Sequence, residues 1–252
     1  MALIQFLIGG AQKSGTSALA QYLGAHPDVR LPLGKEAHVF DRQDFDENWP
    51  SERIDAEYAD HLSLRGSSLL CGDATPFYVF HPRAITRIAR YNPTMKWIIL
   101  LRDPVDRAIS HYYMERDRGF ERLPLWSALA LERWRLHGRS EDLSDNSPLR
   151  HHSYRARGCY VQQLETLYAS FPREQVLLLR SMDLRATPGE CMQRVHAFLG
   201  LASPGPAGPF EQVFSRPGQA TQGHRWIRRA LRLSFRRELR KLQAQHGVRF
   251  DN

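Results

Sequence analysis

Residues 3–24 read LIQFLIGGAQKSGTSALAQYLG. The first six, LIQFLI at 3–8, are a short apolar run that stops at Gly9-Gly10, and such a run predicts a buried strand. TSALAQYLGAHPD at 16–28 follows as a helix, with Leu19, Tyr22 and Leu23 on one face and Gly24 near its end. Strand, glycine turn and helix in that order open an α/β sheet. The alternation recurs downstream. SLLCG (68–72), KWIILL (96–101) and QVLLLR (175–180) read as strands. PVDRAISHYYMERDRG (104–119) and residues 153–170 read as helices, with Pro104 suited to a first helical turn. Apolar strands alternating with helices predict a P-loop-like central parallel sheet flanked by helices on both faces. No internal repeat appears, and the pattern is read as a single domain over 1–252. The polar stretch 138–150 reads as a loop, and ASPGPAGP at 202–209 is the strongest breaker run.

The chain has 252 residues, 42% of them hydrophobic and 25% charged, which suits a soluble globular protein. Thirty-five basic against 27 acidic residues leave a formal charge of +8, which points to an anionic ligand or partner. Cys71, Cys159 and Cys191 are far apart and form no CxxC pair, so they read as reduced thiols and no metal is expected. The apolar N-terminus lacks a basic n-region, and no segment reaches the ~20 apolar residues of a membrane span. A soluble, cytoplasmic protein is expected.

A phosphate-binding loop of the Walker A type reads GxxxxGK[ST]. Here Gly10 and Gly15 keep the glycine spacing and Ser17 keeps the hydroxyl, but Thr16 stands where the lysine belongs and Lys13 lies inside the loop. Backbone N–H groups of such a loop and of the following helix N-terminus still make an anion cradle. The displaced Lys13 suits transfer of a group with less negative charge than a phosphoryl, such as a sulfuryl. One ammonium then stabilises the leaving phosphate, with no obligatory Mg²⁺.

A second anchor follows the 96–101 strand in LLRDPVDRAISHYY. Arg102 stands at the strand's carboxyl end, where open α/β sheets bind ligands, and Ser110 lies two turns into the next helix. A guanidinium fork and a hydroxyl there can meet one anion.

Together AQKSGTSAL and LLRDPVDRAISHYY resemble the 5′-phosphosulfate and 3′-phosphate motifs of sulfotransferases that use 3′-phosphoadenosine-5′-phosphosulfate (PAPS). YLGAHPDVRLPLGKEAHVFDR resembles the glycan branch of that family, the heparan sulfate N- and 3-O-sulfotransferases, and RGCYVQQLETLYASFPREQVLLLRSMDL is similar to bacterial relatives. The resemblance spans roughly residues 4–200. It implies that Lys13, Ser14, Gly15, Thr16 and Ser17 hold the 5′-phosphosulfate, that Arg102 and Ser110 hold the 3′-phosphate, and that Lys13 also acts in catalysis. It places Glu36 as the base that takes the acceptor hydroxyl's proton. His38, two residues on, competes for that role and would share a face with Glu36 if the stretch is extended. A hydroxyl acceptor is favoured over an amine: a saccharide, lipid-linked sugar or secondary metabolite. The family's Glu-Lys-Thr-Pro run reads Asp73-Ala74-Thr75-Pro76 here, so its acceptor-touching lysine is missing. The cofactor-closing Lys-Gly-Arg loop is unmatched; SRPGQATQGHR (215–225) stands in its place, with Arg216 or Arg225 as candidates. The Golgi enzymes' cysteine pair is also absent, which suits a cytoplasmic, bacterial relative.

RWIRRALRLSFRRELRKL at 225–242 has helical spacing, within a basic C-terminal segment of about 220–245. Ile227, Leu231, Phe235, Leu239 and Leu242 form an apolar face, and Arg225, Arg229, Arg232, Arg236 and Arg240 a basic one. The simplest reading is a helix packed on the core; an acceptor site, a membrane-surface contact or a nucleic-acid patch are the functional ones, and no nucleic-acid signature accompanies it. Tyr160 and Trp97 could stack on adenine, but aromatics at such positions are more often core. Two other functions are compatible with the chain. A P-loop kinase would need Mg²⁺ and an acidic residue, for which Asp73 is the candidate. A non-enzymatic protein would use the arginine helix to bind anions or nucleic acid.

Overall fold

The computed structural model describes residues 2–34, 36–62, 70–202 and 225–250. The strands are β1 (Ile4–Gly10), β2 (Val29–Arg30), β3 (Leu70–Asp73), β4 (Lys96–Leu101) and β5 (Val176–Arg180). The helices are α1 (Thr16–Gly24), α2 (Ser51–Ala59), α3 (Pro82–Tyr91), α4 (Pro104–Asp117), α5 (Leu125–Leu136), α6 (Pro148–His151), α7 (Tyr160–Ser170), α8 (Ser181–Ala186), α9 (Pro188–Leu199) and α10 (Arg225–His246). The chain divides into two compact units, one of Met1–Leu101 with Leu164–Phe214 and one of Arg102–Gln163 with Ser215–Asn252.

The first unit is built on a parallel sheet in the order β2-β3-β1-β4-β5. β1 and β4, the most apolar runs, are buried almost throughout, as parallel strands covered on both faces must be. Phe6, Ile8, Ile98, Leu100 and Leu179 turn one face toward Leu19 and Leu23 of α1 and Met192, Val195 and Leu199 of α9. Residues of opposite parity face the other way. Among them Trp97 is fully buried, its ring 5.5 Å from that of Phe171. It is core, and stacking on an adenine is excluded. The start of β1 is tied to the end of α3: Ile4 N–H donates to the Tyr91 hydroxyl (2.9 Å) and the Asn92 amide donates to Ile4 C=O (2.9 Å).

The second unit is helical. Val105, Ile109 and Tyr112 of α4, Leu125 and Leu129 of α5, and Ile227, Leu231 and Phe235 of α10 share one core around Tyr154. Each of these α10 side chains is worth roughly 1.5–3 kcal/mol by burial alone. The apolar stripe read from 225–242 is therefore what seats α10, while Arg225, Arg229, Arg232, Arg236 and Arg240 are exposed. Among the described residues no helix is long and apolar enough to cross a membrane.

Some boundaries differ from the sequence reading. The helix expected over 153–170 starts at Tyr160. Before it, the Arg157 guanidinium donates to Ser153 Oγ, Leu149 C=O and Arg150 C=O, and Glu132 accepts from the N–H groups of Arg155 and Ala156. Those bonds hold 153–158 in a tight turn. Tyr160 itself is buried and donates its hydroxyl to Arg102 C=O at 2.8 Å, so it too is structural rather than a stacking surface. α1 ends at Gly24 rather than 28, since Pro27 and an Asp28 N–H bond to His26 Nδ1 turn the chain. The 138–150 loop carries the short α6, capped by Ser147. β2, α2, α3, α5, α8 and α9 have no counterpart in the sequence reading. The expected 68–72 strand is seen from Leu70 to Asp73; residues 68 and 69 and the 203–224 stretch, with Arg216, lie outside the described residues.

Candidate active site

The loop between β1 and α1 is shaped by its glycines. A Cβ on Gly10 would come within 2.2 Å of Val79 Cγ1, so the backbone approaches more closely than any side chain permits. Ala11 N–H donates to Leu100 C=O at 2.8 Å and stitches the loop to the end of β4. Gly15 caps α1 with φ +101, in the left-handed region that glycine enters at little cost. Lys13 also has positive φ, at +70. No side chain caps α1, so its first N–H groups are left for another acceptor, and a helix N-terminus attracts anions. Ser14 is fully buried, and its hydroxyl has no partner among the described residues. Thr16 is buried and Ser17 is exposed.

Glu36 and His38 are brought together, although the stretch is not extended as anticipated. His38 has φ +53, and this turn aims its ring back at Glu36. His38 Nε2 lies 3.1 Å from Glu36 Oε2, and His38 Nδ1 lies 2.8 Å from Asp41 Oδ2. Burial opposes charging of the imidazole, but the hydrogen bonds and charges of Asp41 and Glu36 outweigh it and raise the His38 pKa to about 10. At neutral pH both ring nitrogens therefore carry protons. One N–H donates to buried Asp41 and the other to half-exposed Glu36. The arrangement fixes the direction of the Glu36 carboxylate and leaves the ring no free lone pair to act as a base.

A second layer holds this loop from the end of β3. Asp73 is fully buried. One of its oxygens accepts from Ala37 N–H (3.2 Å) and the Thr75 hydroxyl (2.9 Å), the other from the hydroxyls of Tyr58 (2.9 Å) and Tyr78 (2.8 Å). The Tyr78 oxygen accepts from Val39 N–H at 3.0 Å, and the Thr75 oxygen from His38 N–H at 3.4 Å. Burial raises the Asp73 pKa while these hydrogen bonds pull against it. Four internal donors occupy the carboxylate, so it is not placed to hold Mg²⁺ as a kinase reading needs. Ala74 is fully buried and packs in the core cluster of the sheet. Asp41, Tyr58 and Tyr78 were missed by sequence reasoning, and Asp73 was singled out only as the acid a kinase would need, not as a platform for the loop. Glu-x-His-x-x-Asp was a usable signal for Asp41; nothing local announces Tyr58.

In the second unit Arg102 directly precedes α4. Asp103 caps that helix, accepting from Val105 N–H (2.9 Å) and Asp106 N–H (3.1 Å). The cap and Pro104 set where α4 begins. Arg102 and Ser110 are both partly exposed. Between them Arg107 is fully buried; one of its nitrogens donates to Tyr154 C=O, and Nε and Nη1 have no partner among the described residues. Burial lowers its pKa. The sequence reading did not single it out. Arg225, the other C-terminal candidate, opens α10 and is exposed.

Three comparisons bear on this geometry. The family model described as a sulfotransferase domain matches residues 3–216. Heparan sulfate glucosamine 3-O-sulfotransferase 3B1 of Mus musculus is 33% identical over 199 residues, which is 79% of this chain and 46% of that protein. The chain thus spans about half the length of the curated relatives it matches. A crystal structure of a sulfotransferase from Alicyclobacillus acidocaldarius superposes with a TM-score of 0.77 at 29% identity, covering 99% of this chain and 98% of that one. A mouse sulfotransferase, SULT7A1, solved in complex with PAP, shares the fold at 18% identity and a TM-score of 0.51, over 97% of this chain and 85% of its own. By its family model, its relatives and its parallel α/β architecture, the chain belongs to the sulfotransferase family.

Proposed function

We propose that the chain moves a sulfuryl group from PAPS to a hydroxyl of a saccharide or comparable acceptor. The observation that carries this reading is the Asp41–His38–Glu36 relay, which presents a single aimed carboxylate. PAPS supplies the sulfuryl group, and its 5′-phosphate is the leaving group. Glu36 takes the proton of the acceptor hydroxyl as the new S–O bond forms and the bond to the 5′-phosphate breaks. Lys13 offsets the charge that develops on that phosphate. Ser14, Gly15, Thr16 and Ser17 hold the 5′ end; the uncapped α1 N-terminus and the unmatched Ser14 hydroxyl support an anion there. Arg102 and Ser110 hold the 3′-phosphate, with Arg216 a further candidate. His38 serves as a charged positioning partner of Glu36. The three free cysteines suit a reducing, cytoplasmic setting, and the whole chain acts as one sulfotransferase domain.

Labelled PAPS and γ-labelled ATP, each offered with a panel of saccharides in EDTA, test the proposal. Label should pass from PAPS alone. Transfer only from ATP, and only when Mg²⁺ is restored, would replace it with a kinase.

A further inference from the structure

Two cavities lie between α5 and α10 in the second unit. The narrower, about 190 Å³, is lined by Trp126 and Ala130 of α5 and by Trp226 and Ala230 of α10, with Leu129 and Ile227 at its floor. The wider, about 680 Å³, is lined by Arg133 and His137 after the aromatic end of α5 and by Arg237 and Lys241 of α10. Arg155 and Ser234 line both, so the two form one continuous groove.

The grading of this groove is written into both helices. Trp126, Ala130, Arg133 and His137 follow one stripe of α5 and its C-terminal extension, at spacings of four, three and four residues. Trp226, Ala230, Arg237 and Lys241 repeat the order on α10. Each stripe begins with a tryptophan and ends with basic residues. At 1.5 Å per helical residue, the path from Trp126 to His137 is about 16 Å.

Both ends of the groove are unusual for a surface with no partner. Trp126 and Trp226 are 56% and 63% exposed, although large aromatics normally bury most of their area. The side chains of Arg133, Arg155, Arg237 and Lys241 make no ion pair or hydrogen bond among the described residues. Two carboxylates line the wide end as well: Glu132, which accepts from Arg155 N–H and Ala156 N–H and feels the Arg155 charge, and Glu238, which accepts from Val161 N–H at 2.7 Å.

We propose that this groove binds an anionic amphiphile, its apolar chain lying between Trp126 and Trp226 and its phosphate, sulfate or carboxylate head among Arg133, Arg155, Arg237 and Lys241. Four cations face only two carboxylates at the wide end, so a neutral amphiphile leaves an excess of positive charge there, and a small hydrophilic anion leaves the aromatic end wet. Only a ligand with both characters, in that order along its length, matches the groove. The proposal asks for no transfer chemistry and stands apart from the PAPS reading.

The test uses the full chain without nucleotide. Laurate below its micelle concentration is titrated by calorimetry and by tryptophan fluorescence, beside dodecyl maltoside, inorganic phosphate, an acidic oligosaccharide and phosphatidylglycerol vesicles. Laurate should saturate one site per chain and bind about tenfold or more tighter than the neutral amphiphile or phosphate. Trp226→Ala, and separately Arg237→Glu with Lys241→Glu, should each weaken it by about tenfold. All three positions are exposed, and circular dichroism checks that the variants fold. Four results would overturn the proposal: laurate binding indifferent to these variants, phosphate or oligosaccharide binding as tightly as laurate, binding to vesicles alone, or sedimentation showing that the groove instead joins two copies of the chain.

Discussion

Two carboxylates and one imidazole carry the chemistry proposed at the residue scale. Glu36→Gln keeps the shape of the side chain and removes its basicity, so kcat should fall by about 10²–10⁴-fold. The thermal shift given by 3′-phosphoadenosine 5′-phosphate (PAP) should survive that change. If the shift is lost as well, Glu36 holds the nucleotide rather than the acceptor's proton. Lys13→Ala should cut kcat by about 10²–10³-fold, the scale of one preorganised charge lost from a transition state. Retained turnover in Lys13→Ala would remove the lysine from the mechanism. His38 gives a pH signature. Its folded pKa, about 10, lies above the ordinary 6.5, so the relay's contribution to stability is complete below pH 6.5 and declines until it is gone above about 10. The Tm advantage of the wild type over His38→Gln should shrink across that window. An advantage that stays flat with pH would mean that the ring is not charged between its two acids.

The element that matters most is the short run from the end of β3 into the turn after it, because it holds the 36–40 loop. Its buried carboxylate, Asp73, meets four donors, and a buried donor left without a partner costs about 1–3 kcal/mol. Asp73→Ala should therefore destabilise the protein by about 3 kcal/mol or more in urea melts, and Asp73→Asn by less. In whatever folds, kcat should fall while PAP binding is kept, since the platform supports the base loop. An unchanged kcat would show that the loop keeps its shape without Asp73. α10 offers a purely structural contrast. Phe235 packs in the helical core and against Gly158, where a Cβ would come within 2.9 Å of its ring. Phe235→Ala should cost about 3–5 kcal/mol. The exposed Arg236→Ala should be nearly neutral, and if the two cost the same the helix is not seated by its apolar face.

For the whole molecule, the formal charge of +8 favours anionic ligands in general, and only a specific site distinguishes PAP from ADP. PAP held at a hundred times its Kd should stabilise the chain by about 2.7 kcal/mol, and ADP at the same concentration by much less. Equal shifts would reduce the effect to unspecific charge. Much of the architecture was legible without coordinates. β1, the glycine loop, α1, β4 and α4 are specified by neighbours a few residues apart: apolar runs, Gly10 and Gly15, Asp103 and Pro104. Pairing in the relay was not legible, because Glu36 meets His38 only through a left-handed turn whose cause lies at Asp73, Thr75 and Tyr78, more than thirty residues on. Trp97 and Tyr160 were able to stack on a base, although aromatics at such positions more often fill a core, and burial settled that choice for the core. The amino-acid order by itself determined β1, β3, β4 and β5, the glycine loop and the amphipathic tail helix, because period, glycine and cap act over one or two turns of chain. Tertiary structure alone decided which acid faces which nitrogen and which aromatics are inside, because desolvation and hydrogen-bond partners come from segments that meet only on folding.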